Sequence, residues 1–106
     1  MAEDFLTTLE ATIRRRRGGD AATSYTAKLF ARGRAKIAQK VGEEAVETVI
    51  AALQDDRKEL VSEATDLMFH LMVLLADAGL GLDDIRAEMM RREGVSGIDE
   101  KAARPK

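Results

Sequence analysis

The sequence predicts an all-α protein with one domain. Helix-forming residues (Ala, Leu, Glu, Arg and Met) dominate the 106-residue chain, whereas aromatic residues are few and the one proline is residue 105. Apolar residues recur at the spacing of amphipathic helices. A chain of this length supports a single core. We therefore assign residues 1–94 to one helical domain and residues 95–106, which have little apolar content, to a tail that we expect to be flexible.

Composition and charge exclude several classes of protein. The chain has no cysteine, which rules out disulfides and thiolate metal sites. Its formal net charge of −2 gives no overall basic field for nucleic acid. The longest run without a charged residue, Leu67 to Ala76, is shorter than the roughly 18 residues that suggest a membrane span, and the N-terminus lacks signal-peptide features. We therefore expect a cytoplasmic protein that binds neither nucleic acid nor membrane.

A first amphipathic helix is predicted over residues 3–17, ended by two glycines. Its apolar residues at helical spacing are Phe5, Leu6, Leu9 and Ile13. Four arginines, residues 14–17, fall in its last turn. They either complement the helix dipole as solvated cations or, in the functional interpretation, one or two of them reach phosphates.

A short second helix is predicted over Tyr25–Arg32, because Ser24 is a good N-cap and Gly33 follows as a stop signal. Lys28 lies within it. A helix of this length is not stable alone, so we expect it to pack on longer helices.

A long third helix is predicted from Arg34 to about Gln54. One stripe is apolar and comprises Ile37, Val41, Ala45, Val49 and Leu53. Another carries Lys36, Lys40, Glu44 and Glu47. That stripe is either a solvated face with ion pairs one turn apart or a functional surface. Gly42, an interior glycine, costs about 1 kcal/mol relative to alanine and suggests close approach by another segment or a ligand.

The fourth helix, predicted over Lys58–Ala78 after a tight turn at Asp55-Asp56, contains the most apolar part of the chain. Its polar stripe consists of Glu59, Glu63, Asp66 and His70. Because the second half is apolar nearly all round, we expect it to be buried on most sides. Ionised carboxylates are seldom buried unless they are paired or bound to metal.

Beyond the fourth helix, Asp83 is the predicted cap of a short fifth helix over residues 84–93, with Ile85, Met89 and Met90 facing inward. The third and fourth helices should form an antiparallel hairpin. One partner helix cannot cover the apolar surface of the fourth helix, so we expect two hairpins to dimerise into a four-helix bundle, as an obligate dimer or a dimer of dimers.

The acidic residues of the hairpin predict a metal centre. Glu44 and Glu47 share one helix face, and Glu63 and Asp66 share another. These facing pairs would repel without a cation, and oxygen ligands suit Mg²⁺, Mn²⁺ or Ca²⁺. Two such ions can bridge a diphosphate and activate water, with the outer phosphates held by lysines: Lys28, Lys36 and Lys40. A di-iron centre is excluded, because it needs Glu-x-x-His on two helices.

His70, one turn from Asp66, is interpreted as a hydrogen-bonded core residue that orients this carboxylate rather than as a ligand.

These motifs resemble the all-α nucleoside triphosphate pyrophosphohydrolase superfamily, also called MazG-like. The acidic pattern is Glu43-Glu44-x-x-Glu47 followed by Glu63-x-x-Asp66. Three surrounding segments are similar to the phosphoribosyl-ATP pyrophosphohydrolase family: residues 24–29 (SYTAKL), 36–47 (KIAQKVGEEAVE) and 66–75 (DLMFHLMVLL). Residues 97–102 fit as well. The resemblance covers residue 5 to the tail, and the chain is too short to carry the zinc-dependent cyclohydrolase domain sometimes fused to this enzyme.

The resemblance implies hydrolysis of phosphoribosyl-ATP to phosphoribosyl-AMP and pyrophosphate, the second step of histidine biosynthesis, by a dimer that uses Mg²⁺ or, as a substitute, Mn²⁺. In family terms the metal ligands are Glu44, Glu47, Glu63 and Asp66. Glu43 would serve a second ion or orient water. The lysines, with Arg14 or Arg17, would contact phosphates.

Two other functions stay open on the residues alone. One is a house-cleaning hydrolase of ordinary or damaged nucleoside triphosphates. The other is a non-catalytic helical dimerisation module whose acidic residues are merely solvated.

Overall fold

The structure is a computed structural model that describes residues 4–94 together with Gly97, Lys101, Ala102 and Arg104. Five helices span the first of these ranges: α1 (Phe5–Arg16), α2 (Tyr25–Arg32), α3 (Arg34–Leu53), α4 (Arg57–Asp77) and α5 (Leu82–Arg92). The residues described contain no strand, so the all-α prediction is confirmed. Most of the predicted tail lies outside the described residues, and the division at residue 94 stays a prediction.

Local sequence signals mark both ends of α2 and the start of α4. The Ser24 hydroxyl accepts a hydrogen bond from the Ala27 N–H at 3.1 Å, which caps α2. Gly33 separates α2 from α3 with φ +93° and ψ 172°, a conformation open essentially to glycine alone. The Asp56 carboxylate caps α4 by accepting from the Glu59 N–H at 3.0 Å.

The helices α3 and α4 make the most extensive contact in the molecule and form the predicted hairpin. The turn between them passes through Asp55, which has φ +57°. Glu44 and Asp66 lie equally far along the chain from Asp55, and so do Glu47 and Glu63. An antiparallel hairpin therefore places the acidic pairs of the two helices opposite each other.

The hydrophobic core lies at the end of the hairpin away from this turn, where α1 and α2 cover it. Its buried residues are Ile13, Leu29, Phe30, Ile37, Met72, Val73 and Ala76. The turn end has no such cover. Val49 and Leu53, predicted to continue the apolar stripe of α3, are 57% and 82% exposed. Within the single chain the apolar stripe is therefore buried at its start, at Ile37, and largely exposed near the turn, although Ala51 on another face of this part of α3 is buried.

The fifth helix begins earlier than predicted and buries none of its residues. Gly81 precedes it, with its N–H donating to the Asp84 carboxylate at 2.8 Å, so Asp83 is not the cap. A side chain at Gly81 would require the Arg14 guanidinium and the Glu10 carboxylate to move. Met89, predicted to face inward, is 68% exposed. The helix is held by Leu82, which packs against the hydrophobic core, and by polar contacts to α1, including a 2.6 Å hydrogen bond from the Leu82 N–H to Glu10.

No single described helix is both long enough and apolar enough to cross a membrane. The helices α4 and α5 satisfy that test of length and composition only as a pair, and they are bent by 103° at the break between them.

Two glycines give a matched prediction about stability. Neither Gly33 nor Gly42 has a neighbour within 4 Å of where a Cβ would stand, so only the backbone conformation distinguishes them. The close approach predicted at Gly42 is therefore not made by any described part of this chain. We expect Gly33→Ala to destabilise the protein by about 1–3 kcal/mol and Gly42→Ala to stabilise it by roughly 0.5–1 kcal/mol. Urea unfolding of both variants measures the difference, and equal effects would contradict it.

Candidate metal centre and cationic cleft

Three of the four predicted metal ligands converge in the hairpin. Glu44, Glu63 and Asp66 each place one carboxylate oxygen within 4.8 Å of the others. Glu44 is buried, at 8% exposure, whereas Glu63 is half-buried and Asp66 is exposed. The cluster therefore has a buried side within the hairpin and an open side that a ligand can reach.

Two oxygens of this cluster lack the partners that burial requires. Oε2 of Glu44 and Oε2 of Glu63 are buried, and neither has a hydrogen-bond partner in the described part of the chain. Leaving a buried carboxylate oxygen unsatisfied is unfavourable by roughly 1–3 kcal/mol or more. A hard divalent cation would satisfy both oxygens at once, because carboxylates are its preferred ligands. The residues present therefore fit Mg²⁺.

The pKa shifts of the cluster indicate an excess of negative charge. Burial raises the pKa of Glu44, and the neighbouring carboxylates of Glu47 and Asp66 raise it further. The pKa of Glu63 is raised to about 7, mainly because its carboxyl shares a hydrogen bond with Glu59, with burial and Glu47 adding to the shift. Glu47 thus lies against both residues, although it is outside the three-oxygen group.

Glu59 is a member of this site that the ligand prediction left out. A cavity of about 200 Å³ opens beside the cluster and is lined by Glu47, Glu59 and Glu63 together with Ile50, Ala51 and Gln54. The sequence signal that could have identified Glu59 is its position four residues before Glu63, which places both side chains on one face of the helix.

The predicted phosphate-binding lysines come together in a second feature, the cationic cleft. This cavity of about 160 Å³ is lined by Tyr25, Lys28, Leu29, Arg32, Lys36 and Lys40. Arg32 was not among the candidates. The four cations recur every four residues from α2 into α3. This spacing, which continues across Gly33, could have identified Arg32 as a member of the cleft.

Glu43 lies at the edge of the cleft rather than in the carboxylate cluster. Its carboxylate contacts Lys40 Nζ at 3.2 Å and accepts a 2.8 Å hydrogen bond from Gln39. These two contacts lower the pKa of Glu43, and the hydrogen bond to Glu43 raises the pKa of Lys40. The structure does not bring Glu43 together with the three converging oxygens, and its role in orienting water or holding a second ion stays a prediction.

A hydrogen-bonded chain links the cleft to the carboxylate helix. His70 is buried, at 5% exposure. Its Nε2 lies 2.8 Å from the Tyr25 hydroxyl, and its Nδ1 lies 2.7 Å from the backbone carbonyl oxygen of Asp66. His70 is therefore the buried, hydrogen-bonded residue that was predicted. Its partner on Asp66 is the backbone carbonyl, however, so the expected direct contact with the carboxylate is not made.

The two candidate arginines of α1 have structural partners. Arg14 lies 3.7 Å from Glu10, beside the start of α5. Arg17 donates to the Ala76 carbonyl at 3.3 Å, lies 3.8 Å from Asp77 and stacks over Phe30. The Arg14 contact lies within α1, and the Arg17 contacts join the end of α1 to α2 and α4. The cleft lining includes neither arginine.

A helical hairpin that carries facing Glu-x-x-Glu and Glu-x-x-Asp pairs beside a cationic cleft is typical of the all-α nucleotide pyrophosphohydrolases. The family model described as phosphoribosyl-ATP pyrophosphohydrolase matches residues 6–93. The chain belongs to this family.

Curated relatives match nearly the whole chain. A phosphoribosyl-ATP pyrophosphatase of Rhizorhabdus wittichii is 64% identical over 92% of this chain and 92% of its own length. The protein of the same name from Novosphingobium aromaticivorans is 63% identical over 95% of this chain and 94% of its own. That of Zymomonas mobilis is 59% identical over 100% of this chain and 99% of its own.

Proposed function

We propose that this protein hydrolyses phosphoribosyl-ATP to phosphoribosyl-AMP and pyrophosphate, the second step of histidine biosynthesis, with Mg²⁺ as cofactor and Mn²⁺ as a possible substitute. Family membership supports the reaction. The observation that supports the metal is the pair of unpartnered, buried carboxylate oxygens on Glu44 and Glu63. We also propose that the protein acts in the cytoplasm.

The roles of the residues are inferred from their positions. Glu44, Glu47, Glu63 and Asp66 would hold Mg²⁺, which when bound neutralises phosphate charge and lowers the pKa of coordinated water. Lys28, Lys36 and Lys40 hold phosphate groups in the cleft. Arg14 and Arg17 are the weaker candidates for phosphate contact, because they are already paired. The oxygen of water forms a bond to phosphorus and releases a proton as the bond from phosphorus to the bridging oxygen breaks, and the bridging oxygen leaves with the other product.

A comparison of four substrates tests the proposed reaction. We expect steady-state pyrophosphate release from phosphoribosyl-ATP to exceed that from dATP, dCTP and dUTP by at least about 100-fold in kcat/KM. Comparable turnover of the deoxynucleotides with none of phosphoribosyl-ATP would assign the chain to a house-cleaning role instead. If none of these four nucleotides is hydrolysed and the protein does not bind Mg²⁺, the alternative function as a helical dimerisation module would be favoured.

We further propose that two copies of the chain associate through the apolar face of α4 and α5. A groove of about 360 Å³ lies there, and its apolar lining includes Met68, Leu71, Leu75, Ile85 and Met89. Exposed apolar surface of this kind marks an interaction site, and a second copy would complete a four-helix bundle.

Sedimentation velocity tests the association. We expect the wild type at micromolar concentration to have a dimer mass and Leu71→Glu, which places a charge in the groove, to dissociate at least tenfold more readily. Ala11→Glu, at an exposed position on α1, is the matched control and should remain dimeric. A monomer mass for the wild type would overturn the proposal.

A further inference from the structure

The cationic cleft contains more positive charge than its own neighbours balance. Lys40 is paired with Glu43, but Lys28, Arg32 and Lys36 form no ion pair with any residue that the structure describes. Cations one helical turn apart repel each other. Two such pairs face the same cavity, Lys28 with Arg32 on α2 and Lys36 with Lys40 on α3. Their common feature is an ability to donate hydrogen bonds to an anion.

The size of the cleft limits what it can hold. At about 160 Å³ it is smaller than the roughly 300–1,000 Å³ of pockets that enclose a whole ligand. It therefore receives only part of a nucleotide. A phosphomonoester suits it, since such a group carries about −1.5 to −2 charges at pH 7 and offers three acceptor oxygens.

Tyr25 adds a hydrogen-bond acceptor to this set of donors. The Asp66 carbonyl can only accept, so His70 Nδ1 carries the proton in this contact. In the neutral imidazole, Nε2 is then an acceptor, and the Tyr25 hydroxyl donates to it at 2.8 Å. The phenolic oxygen keeps its lone pairs for a second partner that donates, such as a sugar hydroxyl. Phe69 stacks on Tyr25, with 6.3 Å between the two ring centroids, and this contact also restricts the Tyr25 ring.

We propose that the cationic cleft is the subsite for the phosphoribosyl group of the substrate, an inference that rests on the proposed function. The phosphate of the added ribose lies among Lys28, Arg32 and Lys36, and a ribose hydroxyl donates to Tyr25. His70 is a positioning residue that sets the direction of the Tyr25 hydroxyl. Pyrophosphate fits less well, because it has no sugar hydroxyl to donate to Tyr25 and, under the proposed function, its charge would be neutralised by Mg²⁺ held at the carboxylate centre.

Isothermal titration calorimetry of Arg32→Gln with three ligands in Mg²⁺ tests this assignment. Phosphoribosyl-AMP carries the added group, AMP lacks it, and pyrophosphate is the other product. We expect the dissociation constant for phosphoribosyl-AMP to rise about tenfold or more, as for loss of a charged hydrogen bond. Those for AMP and pyrophosphate should stay within about twofold. If AMP, which has its own 5′-phosphate and ribose, is weakened as much as phosphoribosyl-AMP, that end of the nucleotide occupies the cleft and the assignment is wrong. Arg15→Gln, on the exposed face of α1, is the matched control and should change none of the three.

The Tyr25→Phe variant separates the hydroxyl from the ring. We expect weaker binding of phosphoribosyl-AMP by severalfold and a higher KM for phosphoribosyl-ATP with kcat retained. A purely structural defect would weaken AMP and pyrophosphate binding as well. If Arg32→Gln weakens pyrophosphate as much as phosphoribosyl-AMP, the cleft holds the pyrophosphate end and the assignment is wrong.

The binding experiment does not depend on turnover. Tighter wild-type binding of phosphoribosyl-AMP than of AMP, reduced by Arg32→Gln, supports the subsite even if hydrolysis of phosphoribosyl-ATP fails. Conversely, rapid hydrolysis by a wild type that binds AMP and phosphoribosyl-AMP equally would support the proposed function and overturn the subsite.

Discussion

Replacing Glu44 by glutamine is expected to lower kcat/KM for pyrophosphate release by more than about 100-fold and, in EDTA, to raise the melting temperature. Mutating a residue that hydrogen-bonds to a metal ligand typically lowers metal affinity or activity by roughly 10–100-fold. Mutating a ligand itself should therefore lower activity by more than that. The gain in stability has a separate cause. Burial raises the pKa of Glu44, and the neighbouring carboxylates of Glu47 and Asp66 raise it further, so its charged form is unfavourable in the metal-free fold.

Glu88→Gln is the matched control for this variant. Glu88 is held by Arg91 and Arg92, whose hydrogen bonds lower its pKa to about 2, so its charge stabilises the fold. The same change there should lower the melting temperature slightly and leave kcat/KM unaltered. The two variants therefore shift stability in opposite directions. If Glu44→Gln retains activity within about threefold, Glu44 does not hold a metal needed for hydrolysis.

In the metal-free protein, the melting temperature should fall as pH rises from about 4.5 to above 7, and saturating Mg²⁺ should reverse that loss. The pKa of Glu63 is about 7 in the fold, against an ordinary value of 4.5. Its contribution to stability is therefore fully present below about pH 4.5 and is lost as pH rises through about 7. Glu44 shifts in the same direction. The pKa of Glu88 is shifted downward, and its contribution changes only at lower pH.

Mg²⁺ binds the deprotonated carboxylates, so its effect should be largest where the metal-free protein is weakest. At a concentration of about 100 times Kd, binding adds about 2.7 kcal/mol, or roughly 10 °C or more in melting temperature for a domain of this size. We expect that shift at pH 8 and a much smaller one at pH 5. Differential scanning calorimetry in EDTA and in Mg²⁺ provides both profiles.

Glu63→Gln supplies the control, because it should flatten the pH profile in EDTA and reduce the response to Mg²⁺. A wild-type melting temperature that is the same in Mg²⁺ and EDTA at pH 8 would show that these carboxylates hold no divalent cation.

Features of the fold that depend on local chemistry could be predicted from the sequence. Ser24 and Asp56 cap their helices through contacts within one turn, and Gly33 ends α2 through its own backbone. The convergence of Glu44, Glu63 and Asp66 was also predictable, because two helical spacings and one tight turn determine it.

Features that depend on packing between distant segments could not be predicted in this way. The exposure of Leu53 depends on which end of the hairpin α1 and α2 cover, and helical spacing carries no such information. Arg17 is engaged by Ala76, Asp77 and Phe30, which are remote in sequence. The start of α5 was mispredicted because Glu10 of α1 accepts its first N–H.

The single-residue junction at Gly33 also constrains the length of the chain. Lys28 and Arg32 belong to one helix and Lys36 and Lys40 to the next, yet all four line one cavity. Each residue added to a helix rotates the residues after it by about 100° around the helix axis. One inserted or deleted residue at this junction would therefore turn half of the cations away from the other half. Insertions that surface loops elsewhere tolerate would here separate the two halves of the cleft.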